Sequence, residues 1–158
     1  MRAWEKIAAG YQGTLDRALA DKFMTYRLRL VRELHEAGAG LLLGSDAPQI
    51  LNVPGFSTHK EIALLIASGL TPAEALTTGT VNPAIYFDEV GTFGRVAADL
   101  SADLVLADAN PLKKPATLRD PAGVMLRGRW LSRDELRAGL AAIAQRNRVE
   151  QNSPAPEE

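Results

Sequence analysis

The sequence predicts an α/β fold, an α-β-α unit of a parallel sheet followed by a small separate sheet and a closing helix. Three observations carry this. In "GLLLGSDAP" the run Leu41–Leu43 is apolar without alternation, the pattern of a strand buried on both faces, and helical patterns lie on either side of it. Ser/Thr-x-x-Glu boxes at Thr58, Thr71 and Ser132 mark three helix starts. Beyond Gly91, short β-type runs are punctuated by Gly and Asn-Pro, which are turn residues.

Taken in order, "DKFMTYRLRLVRELHEA" places Met24, Leu28, Val31 and Leu34 at helical spacing, predicting a helix over 21–37 with one buried face and Gly38 as its stop. Leu41 to Gly44 then forms the buried parallel strand, with Asp46 just past its end. Thr58 and Glu61 cap a helix running to Ser68, with Ile62, Leu65 and Ile66 as its apolar set and Gly69 as its end. Thr71, Pro72 and Glu74 open a short helix over 72–78, after which Asn82-Pro83 is expected to break the chain. Strands are predicted at Leu104–Leu106 and Val124–Leu126, with a Gly128-Arg129 turn and Trp130 packed on the sheet they form. Ser132 and Glu135 cap a last helix through Gln145. The divisions are therefore 1–90, 91–131, a helix over 132–147 and a disordered tail over 148–158 rich in Pro and Glu.

The bulk numbers fit a soluble domain: 158 residues, 46% hydrophobic and 23% charged, enough to bury a core. A net charge of −1, with no Lys/Arg block interleaved with aromatics, leaves no footprint of a nucleic-acid or membrane-surface binder. The absence of cysteine excludes disulfides and Cys-based zinc sites and fits a reducing compartment. "MRAWEKIAAGYQG" carries no signal-peptide pattern and no 18 apolar residues run together, so a cytoplasmic location is the default expectation.

Asp46 is the residue that raises a chemical question. A carboxylate at the end of a buried strand costs free energy unless it is paired or meets a cation, and the carboxyl ends of parallel strands are where α/β proteins bind ligands. Ser-Asp-Ala-Pro is also good turn chemistry, so a simple turn cap explains the residue as well. Ser45 lacks the Gly-x-Ser-x-Gly elbow of a nucleophile. The chain has two histidines, His35 near a helix end and His59 at the start of the next helix, without metal-ligand spacing.

The succession "GLLLGSDAP", "PGFSTHKEIALLIASGLTPAEALTTGTVNPA", "GTFGRVAADLSADLVLADANPL" and "GVMLRGRWLSRDEL" resembles the C-terminal part of the metal-dependent amidohydrolase superfamily, in the branch near imidazolonepropionase and the prolidase-like enzymes. It covers 28–141. The resemblance implies the last units of a (β/α)₈ TIM barrel, with Leu41 to Gly44 as the eighth strand, joined to C-terminal strands of a small β-sandwich. It also implies a divalent metal, zinc, and an Asp46 that approaches the metal as catalytic proton shuttle between the attacking water and the leaving nitrogen. The loop "APQILNVPGFSTH" would overlie the barrel mouth and bring His59 to a small-molecule amide or cyclic amide substrate. Asp99 stands where relatives have glycine, and Asp103 belongs to the start of a strand rather than to a ligand set.

The family's His-x-His pair, its bridging lysine or glutamate and its middle-strand histidines have no counterpart here, and a barrel needs roughly 250 residues. The barrel is thus expected to be incomplete. Three readings stay open: the C-terminal part of a hydrolase, an inactive relative acting as an interaction module, or a piece of a longer reading frame. By itself the chain is expected to bind no metal tightly and to self-associate through uncovered apolar faces, or to pair with a missing N-terminal barrel half.

Overall fold

The computed structural model describes residues 9–10, 16–49 and 52–152. Among the described residues the named elements follow in order: α1 (Arg17–Glu36), α2 (Phe56–Ala67), α3 (Pro72–Thr77), α4 (Val81–Tyr86), β1 (Leu104–Leu106), a 3₁₀ helix (Pro115–Arg119), β2 (Gly123–Leu126), β3 (Arg129–Ser132) and α5 (Arg133–Asn152).

α1 starts four residues before the predicted boundary because the Asp16 carboxylate accepts from the Ala18 and Leu19 amides, a cap the apolar spacing does not reveal. It ends as expected. Gly38, at φ 80°, lets its own N–H reach the His35 carbonyl and that of Ala39 reach the Leu34 carbonyl, the two bonds of a Schellman motif. The predicted buried face is a correction: Leu28 and Val31 are half-buried, but Met24 and Leu34 are exposed and no residue of α1 is buried.

α2 corrects a second expectation. Its cap residue is Gly55 and Thr58 makes no capping bond, being already inside the helix; Ser57 instead turns its hydroxyl back to accept from the Val53 amide at 2.9 Å. α3 has the predicted box, Thr71 and Glu74 bonding reciprocally with Pro72 in the first turn. Asn82-Pro83, expected as a break, lies within α4. Pro83 occupies its first turn, where a missing N–H removes a donor that has no intrahelical partner.

The core joins α2 to α3: Ile62, Leu65, Leu70 and Ala75 are buried, with Val31, Leu41, Leu43, Ile66 and Leu76 packed around them. The strand expected at Leu41 to Gly44 is absent. Leu41 and Leu43 are half-buried, Leu42 and Gly44 are exposed, and no strand pairs with the segment among the described residues. An apolar run becomes a strand buried on both faces only where neighbouring strands and covering layers exist to bury it.

The small sheet is present, three antiparallel strands in the order β1-β2-β3, with Leu104 opposite Met125 and Met125 opposite Trp130. Its hairpin turn is Arg127-Gly128, one residue before the expected place. Both have positive φ, 50° and 78°, as the tight turn that matches strand twist requires. Trp130 lies across Gly123, where any Cβ would overlap the indole. The Ser132–Glu135 box opens α5 as predicted, but the helix continues through 148–152, which the composition had suggested as tail; residues 153–158 lie outside the described set. Arg133 holds α5 to the sheet by pairing with Asp108 and donating to the Pro121 carbonyl at 3.0 Å, and Arg137 pairs with Asp120.

Candidate functional site

Asp46 is positioned by contacts made before and after it. The Leu43 amide donates to the Thr78 carbonyl at 2.9 Å, and the Asn82 side-chain amide donates to the Leu41 carbonyl at 2.8 Å. Leu43 also packs over Gly79, where an added Cβ would lie 2.7 Å from its Cδ2. The segment is thus tied to the end of α3 and the start of α4, and Asn82 is a positioning residue that its reading as a breaker had hidden. Asp46 itself is exposed with φ 54°, a left-handed conformation in which Asp is enriched. Its carboxylate accepts from the Gln49 side chain, and its carbonyl accepts from the Gln49 amide at 3.2 Å. The turn chemistry of Ser-Asp-Ala-Pro is therefore real, and it leaves the carboxylate facing solvent. Ile50 and Leu51 of the following loop lie outside the described residues.

His59 is half-buried in the first turn of α2. It lines a cavity of about 220 Å³ between α2 and the 3₁₀ helix, opposite Arg119. Burial, and then the neighbouring Arg119 guanidinium, push its pKa below the usual histidine value, favouring the neutral ring. Asp46 is not among the residues that line this cavity, so the two sequence-selected residues do not share it. Arg119 was not singled out in the sequence, because nothing in one-dimensional spacing relates it to a histidine sixty positions earlier.

A larger cleft of about 660 Å³ runs along the sheet, walled by Leu104, Leu106, Met125 and Trp130 and by Phe93 to Val96. Asp103 borders it but is committed to structure, accepting from the Arg127 amide at 2.6 Å. Asp99 has φ 66°, the conformation that favours glycine at that place. His35 reaches Glu74 at 3.3 Å, joining the end of α1 to the start of α3 rather than capping its own helix.

Among the described residues no three His, Asp or Glu side chains gather in a way that would hold a metal. One exposed carboxylate bonded to Gln49 is a single donor, and a metal site takes at least three protein ligands. These residues alone do not fit a metal centre.

Residues 25–131 match the model of the amidohydrolase family. The chain belongs to that family. Its solved relatives include a protein from Bifidobacterium longum assigned as a prolidase, 35% identical over 64% of this chain and 25% of the relative, with a TM-score of 0.59. Molinate hydrolase (24% identity, 67% of this chain and 26% of that one, TM-score 0.59) and phenylurea hydrolase B (24%, 66% and 26%, TM-score 0.59) share the fold. This amidohydrolase chain spans about a quarter of the length of the structures it matches. A comparison with curated proteins gives no match. Among the described residues no helix is long and apolar enough to cross a membrane.

Proposed function

We propose that the chain is the C-terminal part of a metal-dependent amidohydrolase that hydrolyses non-peptide or dipeptide-like C–N bonds of a small amide or cyclic amide in the cytoplasm. In this reading 1–90 ends a (β/α)₈ barrel, 91–131 belongs to a small β-sandwich, and Leu41 to Gly44, which forms no strand in this chain by itself, becomes the eighth barrel strand where the rest of the barrel supplies its neighbours. The observation that carries it is the family match, which runs through Asp46 and the apolar run before it. The Gly-Ser-Asp-Ala-Pro that follows this apolar run supports it too, since it sets a carboxylate where the carboxyl end of a barrel strand would present it.

Asp46 has the chemistry for a proton shuttle. As water oxygen bonds to the amide carbon, the carboxylate takes the water's proton; as the C–N bond breaks, the proton passes to the leaving nitrogen and the carboxylate is restored. Asp46 would approach a divalent metal, zinc by resemblance to the family, whose other ligands would come from the rest of the barrel; such a metal would lower the pKa of the attacking water. His59 contributes binding rather than proton transfer, so His59→Ala should raise KM more than it lowers kcat.

The test grafts residues 25–131 onto the Bifidobacterium longum relative in place of its matching quarter and assays that protein's own activity. Asp46→Asn in the graft should lower turnover by about 10²–10⁴-fold with unchanged melting and metal content. Near-parental turnover would remove Asp46 from the mechanism. The 158-residue chain alone should self-associate, without amidase activity or stoichiometric zinc. A cooperatively melting monomer carrying bound zinc would overturn the incomplete-barrel reading.

A further inference from the structure

The cavity between α2 and the 3₁₀ helix holds a polar group, Arg119, that the hydrolytic reading does not use. Its polar lining consists of His59 and Arg119, both able to carry positive charge, and no carboxylate lines it. Among the described residues neither side chain makes a hydrogen bond or ion pair. The acids adjacent in sequence do not supply one: Asp120 is engaged by Arg137 and Arg133, and Glu61 is outside the lining. The fixed charge of the Arg119 guanidinium faces one space with the half-buried His59 ring, which can donate a hydrogen bond, and no carboxylate lines that space to balance the charge, so a bound anion would neutralise it.

The remaining wall is apolar. Ile62, Ala63 and Ile66 come from successive turns of α2, and Pro115 and Ala116 from the facing 3₁₀ helix. At about 220 Å³ the space falls below the roughly 300–1,000 Å³ of drug-sized ligand sites, so the occupant has few heavy atoms. A planar two-oxygen head matches the guanidinium fork, whereas the third and fourth oxygens of a phosphate would face isoleucine, alanine and proline without partners. We propose that this cavity binds a small branched-chain carboxylate, with the carboxylate on Arg119 and His59 and the alkyl body against Ile62, Ile66 and Pro115. The inference does not depend on Asp46 or on hydrolysis.

Equilibrium dialysis of the full 158-residue chain against radiolabelled isovalerate tests it, because the method reads monomeric and self-associated protein alike. Saturable binding is expected, displaced by unlabelled isovalerate but neither by isovaleramide, which lacks the charge, nor by inorganic phosphate, which lacks the alkyl body. Arg119→Gln should weaken binding by about tenfold or more, the loss expected for a charge-assisted hydrogen bond. Ala63→Leu, at an exposed helical position, should fill the space and abolish binding with unchanged melting. Absence of saturable binding, binding unaffected by Arg119→Gln, or equal displacement by phosphate would each overturn the proposal. An NMR titration of the His59 ring gives a second readout free of mutation. Bound carboxylate should move its titration to higher pH. An unchanged titration at high isovalerate would likewise overturn the proposal.

Discussion

Two short apolar runs in this chain read alike and end differently. Leu41–Leu43 and Val124–Leu126 both carry the signature of a strand, yet Val124–Leu126 is paired on both sides while Leu41–Leu43 pairs with no strand among the described residues. The difference lies in where the partners are. The β2–β3 register runs from Leu126 opposite Arg129 to Gly123 opposite Ser132, so a two-residue turn, Arg127-Gly128, delivers the ladder with little loop-closure entropy. Leu41–Leu43 needs non-adjacent chain on both edges and finds instead the Thr78 carbonyl and the Asn82 amide. A run of apolar residues states a demand for burial; the neighbours decide whether it is met.

Core truncation gives the widest contrast between these regions. Leu70, 2% exposed beside Ile62 and Leu65, should cost about 2–5 kcal/mol as Leu70→Ala, whereas Leu42→Ala, at a residue 42% exposed, should stay within about 0.5 kcal/mol. Urea denaturation of both variants checks the pair. If Leu42→Ala costs as much as Leu70→Ala, the segment is buried in solution by self-association or by a partner, and the contrast with the hairpin fails.

The hairpin should break from within at Gly123. A Cβ there would overlap the Trp130 indole and stand 2.9 Å from the Leu131 carbonyl oxygen, so Gly123→Ala should cost about 1–3 kcal/mol through overpacking. Gly79→Ala presses on the Leu43 side chain, most closely on its flexible Cδ2, and on no backbone atom, and should cost less while shifting Leu43 and leaving the sheet intact. Trp130 fluorescence with melting separates them: the first variant should move the emission and the second should not.

The smallest effects concern the helix starts. Thr71→Ala and Ser132→Ala should each cost about 0.5–2 kcal/mol, while Thr58→Ala, which removes no capping bond, should change melting little. These boxes also give acid sensitivity. The Thr71 amide and hydroxyl hold the Glu74 carboxyl below its ordinary range, and the Ser132 hydroxyl and amide do the same for Glu135. A carboxyl lowered by folding contributes stability that is complete above its unfolded pKa and is lost as pH falls through its folded value. Melting temperature should therefore decline as pH is lowered through the carboxylate range, and less steeply in Thr71→Ala and Ser132→Ala. An unaltered slope would show that the boxes do not carry it.

By itself the sequence determined what is local. The Thr71 and Ser132 boxes, the Gly38 and Gly69 stops, and the 124–126 run with its hairpin partner 129–132 depend on residues within a few positions of one another, so their physical chemistry is complete in the string. The Asp16 cap, though equally local, was hidden because the apolar spacing that located α1 does not extend to it. The ordered motifs around Asp46 also carried the family, although they could not place its side chain. Tertiary structure alone decided the rest. It left Leu42 exposed where an unbroken run had asked for burial, turned Asn82 from a breaker into the residue that holds the Leu41 carbonyl, and set Arg119 opposite His59. Each of these outcomes depends on contacts between residues far apart in the chain, whose closure entropy is met only by the packed core that joins α2 to α3.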